Sequence, residues 1–474
     1  MPGTASADLI RRLADAVGAA HVLTGADTEG YGTEVMGKYR WAPLAVVRPG
    51  SADEVTAILK LCAAAGVGVV PSAGRTGLTG ASEAEGRVML SVARMNRIRE
   101  VRASSRIAIV EAGVILSRLH EAAAEQGLVF PLTFGAKGSA MVGGFLSTNA
   151  GGSNVVRYGS TRGLCLGIEV VLADGRVLNL MSELRKDNSG YDLKDLFIGA
   201  EGTLGIITAA VLRLFPKPAA YASAMVAVTS IDAALALLNR LQTATGGLVE
   251  AFEYMPGNYM DRLAEIRPGR REPFARRHDH NIFVEIASTA PKDAEPRPDG
   301  TVPLTAMLEA ALAESLESGG ALDATVAASE AQRREMWEGR EAAAEVMVLP
   351  VPTVDLDLSL PLEKVQAFLD RMADRLAALD PGSRWMAISH LGDGNIHYSA
   401  YGTTRDPEVL DAIRIGADTE AVALGGSFSA EHGIGLAKKA SMARLKDPVA
   451  LDVMRALKAA LDPANLLNPG KVLP

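Results

Sequence analysis

Ser72-Ala73-Gly74-Arg75-Thr76-Gly77-Leu78-Thr79-Gly80 is the stretch on which the fold turns. Its glycines free the backbone to aim several N–H groups at one anion, and Arg75 adds a forked cationic donor suited to phosphate. The residues just upstream say what this turn belongs to. Leu44-Ala45-Val46-Val47, enclosed by Pro43 and Pro49, reads as a short buried strand. Ser51 then caps a helix, with Glu54 three residues on as in a capping box, Val55, Ile58, Leu59 and Cys62 on one face, and Gly66 at its end. Val67 to Pro71 is the next strand, so the glycine turn closes a strand, helix, strand unit. Further upstream, Leu9 to Val17 carries helical spacing.

Downstream, a second cluster repeats the chemistry. Gly135-Ala136-Lys137-Gly138-Ser139 and Gly143-Gly144 lead into Ser147-Thr148-Asn149-Ala150-Gly151-Gly152, followed by Arg157-Tyr158-Gly159. Two separate glycine nests suit a cofactor with a pyrophosphate and a long body. Neither is a G-x-G-x-x-G opening a helix after a strand, which argues against a Rossmann-type site. Asp174-Gly175 between Ile168–Leu172 and Val177–Leu180 is a hairpin signal. Beyond Arg185–Leu193, glycines at 199, 202 and 205 in apolar surroundings imply backbone packed closely against something flat or large. Pro216 and Pro218 mark a domain boundary.

At 474 residues the chain is too long for one ordinary core and should hold two or three domains. A balance of 48 Lys+Arg against 56 Asp+Glu, formal charge -8, argues against a nucleic-acid surface. Arg270-Arg271 and Arg276-Arg277 read as solvated loop. Cys62 and Cys165 offer neither a disulfide framework nor a thiolate metal site, and a reducing compartment fits. Met1 to Leu23 carries Arg11 and Arg12 where a signal sequence would need apolar residues, and no later run suits a spanning helix, so a cytoplasmic protein is expected.

A second feature fixes a geometry. In Ser389-His390-Leu391-Gly392-Asp393-Gly394-Asn395-Ile396-His397-Tyr398 the Asp-Gly pair predicts a two-residue hairpin turn, which sets Gly392 opposite Asn395, Leu391 opposite Ile396 and His390 opposite His397. Opposed residues share a sheet face with Cβ atoms roughly 4.5–5.5 Å apart. Histidines across a turn are ordinarily surface chemistry, but two at that separation could chelate one metal ion, with Glu431-His432-Gly433 the obvious source of a third ligand. Only 7 histidines occur in the chain, and three fall in these two stretches.

Gly74 to Gly80, Gly135 to Gly152, Arg157 to Gly159, Arg185 to Leu193 and Gly199 to Thr208 together resemble the FAD domain of the vanillyl-alcohol-oxidase-type flavoproteins. Within that superfamily the resemblance is to the D-2-hydroxyglutarate, D-lactate and glycolate dehydrogenase branch. The His390 hairpin, Ser429 to Gly435, Leu461-Asp462-Pro463 and Leu466 to Lys471 match as well, and Tyr221 to Glu330 matches least. The resemblance implies an α+β protein: a split FAD-binding domain of vanillyl-alcohol-oxidase type over residues 1–218, an inserted cap of antiparallel sheet plus helices over 219–424, and a return over 425–474. The residue pattern of the middle agrees. Ile231–Leu241, Leu304–Leu316, Ala331–Met347 and Leu362–Leu379 read as helices; Val249–Tyr254, Ile282–Ser288, Leu322–Ala327, Thr353–Leu360 and the hairpin arms read as strands. Pro291–Pro303 reads as a mobile loop.

Carried over residue by residue, the resemblance implies non-covalent FAD at Gly74, Arg75, Thr76, Gly77, Leu78, Gly80, Ser82, Pro131, Gly138, Ser139, Gly143, Gly144, Asn149, Ala150, Gly151, Tyr158, Glu201, Gly202, Ile206 and Asn468. It implies a divalent metal on His390, His397 and Glu431, zinc before manganese or iron, with His432 as general base and substrate contact. Arg340 becomes an anion clamp and Asn395 a donor to the substrate carboxylate; their plain readings are a solvated helix face, shared with Arg333 and Trp337, and a turn residue. The implied reaction oxidises a D-2-hydroxy acid to the 2-oxo acid. A separate acceptor (an electron-transfer flavoprotein, quinone or cytochrome) is then required, and a homodimer is the default state. Two departures stand out: Asp355 where the hydroxyglutarate enzymes carry lysine, and Ala344 where they carry threonine. An aspartate there would repel a distal carboxylate. The alternative reading is a flavoprotein subunit of a glycolate-oxidase-like complex that mainly relays electrons.

Overall fold

The computed structural model describes residues 4–474, so the first three residues of the Met1–Leu23 stretch lie outside it. The chain forms two compact units. One comprises residues 1–151, 159–216 and 431–474; the other comprises 152–158 and 217–430. The return therefore falls at Glu431 instead of 425, and Gly152–Tyr158 belong with the inserted unit.

In the first unit, the helix Thr4–Val17 buries Leu9, Leu13 and Val17 against the helix Ala52–Ala65, which contributes Val55, Ile58, Leu59 and Cys62. Ser51 Oγ accepts from the Glu54 N–H at 3.2 Å, while the Glu54 carboxylate reaches back to the Gly50 N–H at 2.8 Å. Ala45–Val47 and Val69–Ser72 each run parallel to Val88–Ser91, which lies between them, and Val22–Leu23 adds an antiparallel edge. The second sheet of this unit is antiparallel, in the order Ile98–Arg102, Ile107–Glu111, Ile206–Arg213, Cys165–Val171, Val177–Leu180. Gly202 and Gly205 do pack closely, but against the protein itself: a Cβ would meet the Pro71 ring at 2.3 Å and Val170 at 2.4 Å respectively.

The second unit is a seven-stranded antiparallel sheet ordered Ala321–Val326, Ala220–Val228, His280–Ser288, Val249–Pro256, Arg384–His390, Asn395–Tyr401, Thr353–Ser359. Ala220–Val228 went unread in the sequence because it is rich in alanine, a type depleted in strands, and carries few of the β-branched residues that announce one. The helices Gly257–Ile266, Glu330–Glu341 and Ala343–Val346 cover one face through Tyr259, Met260, Met336 and Val346, packed with Met225, Ala251, Phe283 and Ile388. Phe368 of the helix Val365–Leu379 packs edge-on to Tyr398, whose side chain leaves the strand opposite to that of His397, so this helix covers the other face. The helix read over Ala331–Met347 breaks at Ala342. Pro291–Asp293 is a short 3-10 turn within the stretch read as loop.

Candidate functional site

The registers of the inserted sheet set the chemistry. His390 pairs with Asn395 and Ile388 with His397, so the turn spans Leu391–Gly394 and the histidines are diagonal neighbours instead of directly opposed. Within the turn the Asp393 and Gly394 N–H groups both donate to His390 O at 3.1 Å, while the Gly392 N–H, which a two-residue turn would pair with Asn395, donates to Phe252 O on a neighbouring strand at 3.1 Å, and Gly394 O accepts from Leu360 N–H at 3.0 Å. A slip of two keeps the same face, and the His390 and His397 rings stand 5.6 Å apart at 82°.

The same face carries Glu253 opposite His390, and Asp357 opposite His397. Glu253 is fully buried, with one carboxylate oxygen 2.9 Å and the other 2.8 Å from His390 Nδ1, and it accepts from Arg340 Nε at 2.7 Å. Burial pushes this carboxyl up, but His390 and Arg340 outweigh it and hold the group at about 2. Arg340 is buried, so its helix face is an inward one. On the same helix Arg333 donates to Glu285 at 2.6 and 2.8 Å, and Trp337 Nε1 donates to it at 3.0 Å. Sequence reasoning missed Glu253, Glu285 and Asp357. Charged residues recurring inside apolar strands, as in Val249–Pro256, were the available signal.

Asn395 needs a correction. Its amide nitrogen donates to Asp357 Oδ1 at 3.0 Å and to Leu358 O at 2.9 Å, while its buried Oδ1 meets no hydrogen-bond partner among the described residues. A flipped amide would set an oxygen against two acceptors. Asn395 therefore offers an acceptor here, and not the donor that a substrate carboxylate requires. Tyr158 groups with the inserted unit, where its hydroxyl donates to Glu250 at 3.1 Å.

In the first unit the Ser72–Gly80 turn fits an anionic cofactor. None of the Gly74–Gly80 backbone N–H groups donates to a protein acceptor among the described residues, and Ser72 Oγ is buried without a partner. A Cβ at Gly74 would fall 2.2 Å from Ser139 O, so the two glycine clusters meet there. Arg75 takes a positive φ of 55°, but its guanidinium turns to Gly30 O and to the Tyr31 ring, away from the phosphate role expected of it. Gly143 and Gly144 pack against Ala112 and Ala73, and the Ile206 side chain lies in the core. Asn468 donates to Glu201 O at 2.8 Å, leaving its own buried Oδ1 without a partner.

The returning segment seats on this unit. Glu201, lifted by burial, accepts from the Ile434 and Gly435 N–H groups at 2.6 and 2.9 Å, and His432 O accepts from Thr79 Oγ1 at 3.4 Å. A Cβ at Gly151 would meet the Glu431 carboxylate at 2.6 Å. Glu431 and His432 thus belong to the first unit, and His390, His397, Arg340 and Asn395 to the second.

Comparison with known proteins agrees with both halves. The family described as "FAD binding domain" matches residues 43–181, and "FAD linked oxidases, C-terminal domain" matches 217–472. The mitochondrial D-2-hydroxyglutarate dehydrogenase of Bos taurus is 37% identical over 432 residues, 90% of this chain and 76% of that protein. The D-2-hydroxyglutarate dehydrogenase of Xanthomonas citri pv. viticola is 36% identical over 453 residues, 94% of this chain and 93% of that protein. Among solved structures, p-cresol methylhydroxylase aligns with TM-score 0.76 at 16% identity, over 99% of this chain and 97% of that one. 4-Ethylphenol oxidase from Gulosibacter chungangensis gives 0.73 at 20%, with the same coverage, and both likenesses concern the fold alone. The chain belongs to the family of FAD-linked oxidases that includes the D-2-hydroxyglutarate dehydrogenases and is an FAD-linked dehydrogenase acting on a CH–OH donor.

Proposed function

We propose that the protein oxidises a D-2-hydroxy acid to the 2-oxo acid, with FAD bound non-covalently and a divalent ion, zinc first, held by His390, His397 and Glu431. The observation that carries this reading is the row Arg340, Glu253, His390, His397 on one sheet face, where a guanidinium and two imidazoles stand together in a largely buried polar setting. In support of Glu431 as the third ligand, the residue before it in the chain, Ala430, donates its N–H to Asp357 O at 3.3 Å. When bound, the flavin supplies the hydride acceptor and the ion a Lewis acid for the hydroxyl and carboxylate oxygens. The protein's own residues do the rest. The His432 imidazole takes the hydroxyl proton, a task worth about 10²–10⁴ in rate. Arg340 holds the carboxylate with the guanidinium nitrogens that Glu253 does not occupy. Asn395 contributes an acceptor.

The relatives' names bring D-2-hydroxyglutarate to this chain as a substrate, but Asp355 weighs against a second carboxylate. It is exposed on the strand that carries Asp357, on the same face, and accepts from Ser399 Oγ at 2.8 Å. D-lactate and other D-2-hydroxy acids without a distal carboxylate fit better. A separate carrier takes the electrons, and a cytoplasmic homodimer completes the reading; no helix among the described residues is long and apolar enough to cross a membrane.

The test is anaerobic flavin bleaching with D- and L-lactate, D- and L-2-hydroxyglutarate, glycolate and D-malate, with and without chelator. D-enantiomers should bleach the flavin, chelator should stop them, and His432→Ala should keep its FAD while losing at least a hundredfold in rate. Bleaching that ignores chelator, or an undiminished His432→Ala enzyme, refutes the corresponding assignment.

A further inference from the structure

Glu253 has no part in the reaction just described, yet it is the most deeply enclosed charge beside the site. A carboxylate buried in this way is strongly destabilising unless its partners are fixed. Here both oxygens lie within hydrogen-bond distance of one imidazole nitrogen, His390 Nδ1, at 2.9 and 2.8 Å. An unprotonated Nδ1 would set its lone pair against two carboxylate oxygens. A protonated one donates to them. Arg340 Nη2 also approaches that nitrogen, but at 3.4 Å it is at the limit of a bond. A neutral imidazole with its proton on Nδ1 has its lone pair on Nε2.

We propose that Glu253 is the positioning residue of the site: it fixes His390 as the Nδ1–H tautomer, so that Nε2 is its ligand atom, and it ties Arg340 to the same ring. Two observations make the constraint rigid. Strand register sets Glu253 directly opposite His390, so the carboxylate arrives along the sheet and not from a loop. The helix bearing Arg340 is anchored separately, by Arg333 and Trp337 on Glu285, contacts that oppose its rotation about its own axis. One carboxylate thereby sets both the ring that would hold the ion and the guanidinium that would hold the substrate. As a statement about metal binding, this rests on the proposed role of His390.

The test uses full-length, FAD-loaded protein. Zn²⁺ affinity is measured by competition with a chromogenic chelator for the wild type and for Glu253→Gln, with flavin content read from the visible spectrum. The expected result is affinity about 10–100-fold weaker in the variant with flavin content unchanged; affinity within twofold of wild type overturns the proposal. Long-range ¹H–¹⁵N correlation on metal-stripped, histidine-labelled wild type decides it independently of whether the variant folds. His390, assigned by its loss in His390→Gln, should show a protonated Nδ1 and an unprotonated Nε2, and the reverse tautomer overturns the claim. Wild type that takes up no divalent ion would sink the metal reading itself, and the ring-nitrogen spectrum would still decide for or against Glu253.

Discussion

Asp355 and Glu253 occupy the same sheet face, and their surroundings give them opposite tasks. Glu253 is enclosed and doubly partnered, whereas Asp355 is exposed on an edge strand and held by the Ser399 hydroxyl. One same-face step along a strand is roughly 6.6–6.8 Å, so Asp355 lies about one short carbon chain beyond Asp357. A fixed negative charge at that distance costs a second substrate carboxylate on the order of 1–3 kcal/mol. Asp355→Lys should therefore raise kcat/KM for D-2-hydroxyglutarate about tenfold or more, with Asp355→Asn intermediate and D-lactate little changed. An unaltered ratio of the two substrates in steady-state assays would remove Asp355 from the substrate's path. At this scale the histidines stood out because only 7 occur in the chain and three fall in two short stretches, whereas Arg340 stood out only through the family resemblance. Glu253 and Asp357 did not, since a single carboxylate in a strand reads as its solvent side until the register shows what it faces.

Among the elements, the hairpin shows how far local rules reach. Asp393-Gly394 does form a turn with Gly394 at φ 83°, but the register is settled by the strands on either side. A Cβ at Gly394 would fall 2.1 Å from Leu360 O, so the turn is pinned both by its own dihedral and by that carbonyl. Gly394→Ala should destabilise the inserted unit by about 2 kcal/mol or more, a fall of roughly 5 °C in Tm for a unit of this size. Unchanged thermal melting would show that the turn relaxes freely and that register is set elsewhere. Most strands of this unit and the helices near Ile231, Leu304, Ala331 and Leu362 were readable, whereas the helices Gly257–Ile266 and Pro407–Ala423 were not read. Ala220–Val228 was missed as well, since four of its nine residues are alanine, a type depleted in strands.

Across the whole chain, the segment carrying Glu431 and His432 must find its seat on a unit whose other parts lie before residue 217. Leu467 pairs with Val69 beside the first parallel strands, and Lys471, almost wholly buried, reaches Glu83 at 2.8 Å. Burial pushes the Glu83 carboxyl up, but the Lys471 ammonium, the Glu85 N–H and Arg87 together outweigh it and hold the group below its ordinary 4.5. A carboxyl depressed in the folded state lends stability above its unfolded pKa and loses it as pH falls through the folded one. Glu83→Gln removes that contribution and leaves a buried ammonium short of its charge partner, at a cost of about 2 kcal/mol near pH 7. The melting temperatures of wild type and variant should therefore differ most at neutral pH and converge progressively below about pH 4.5. A difference that stays constant from pH 7 to pH 3 would mean that the pair is not what holds the returning segment, and that the Glu201 contacts to Ile434 and Gly435 carry the seat instead.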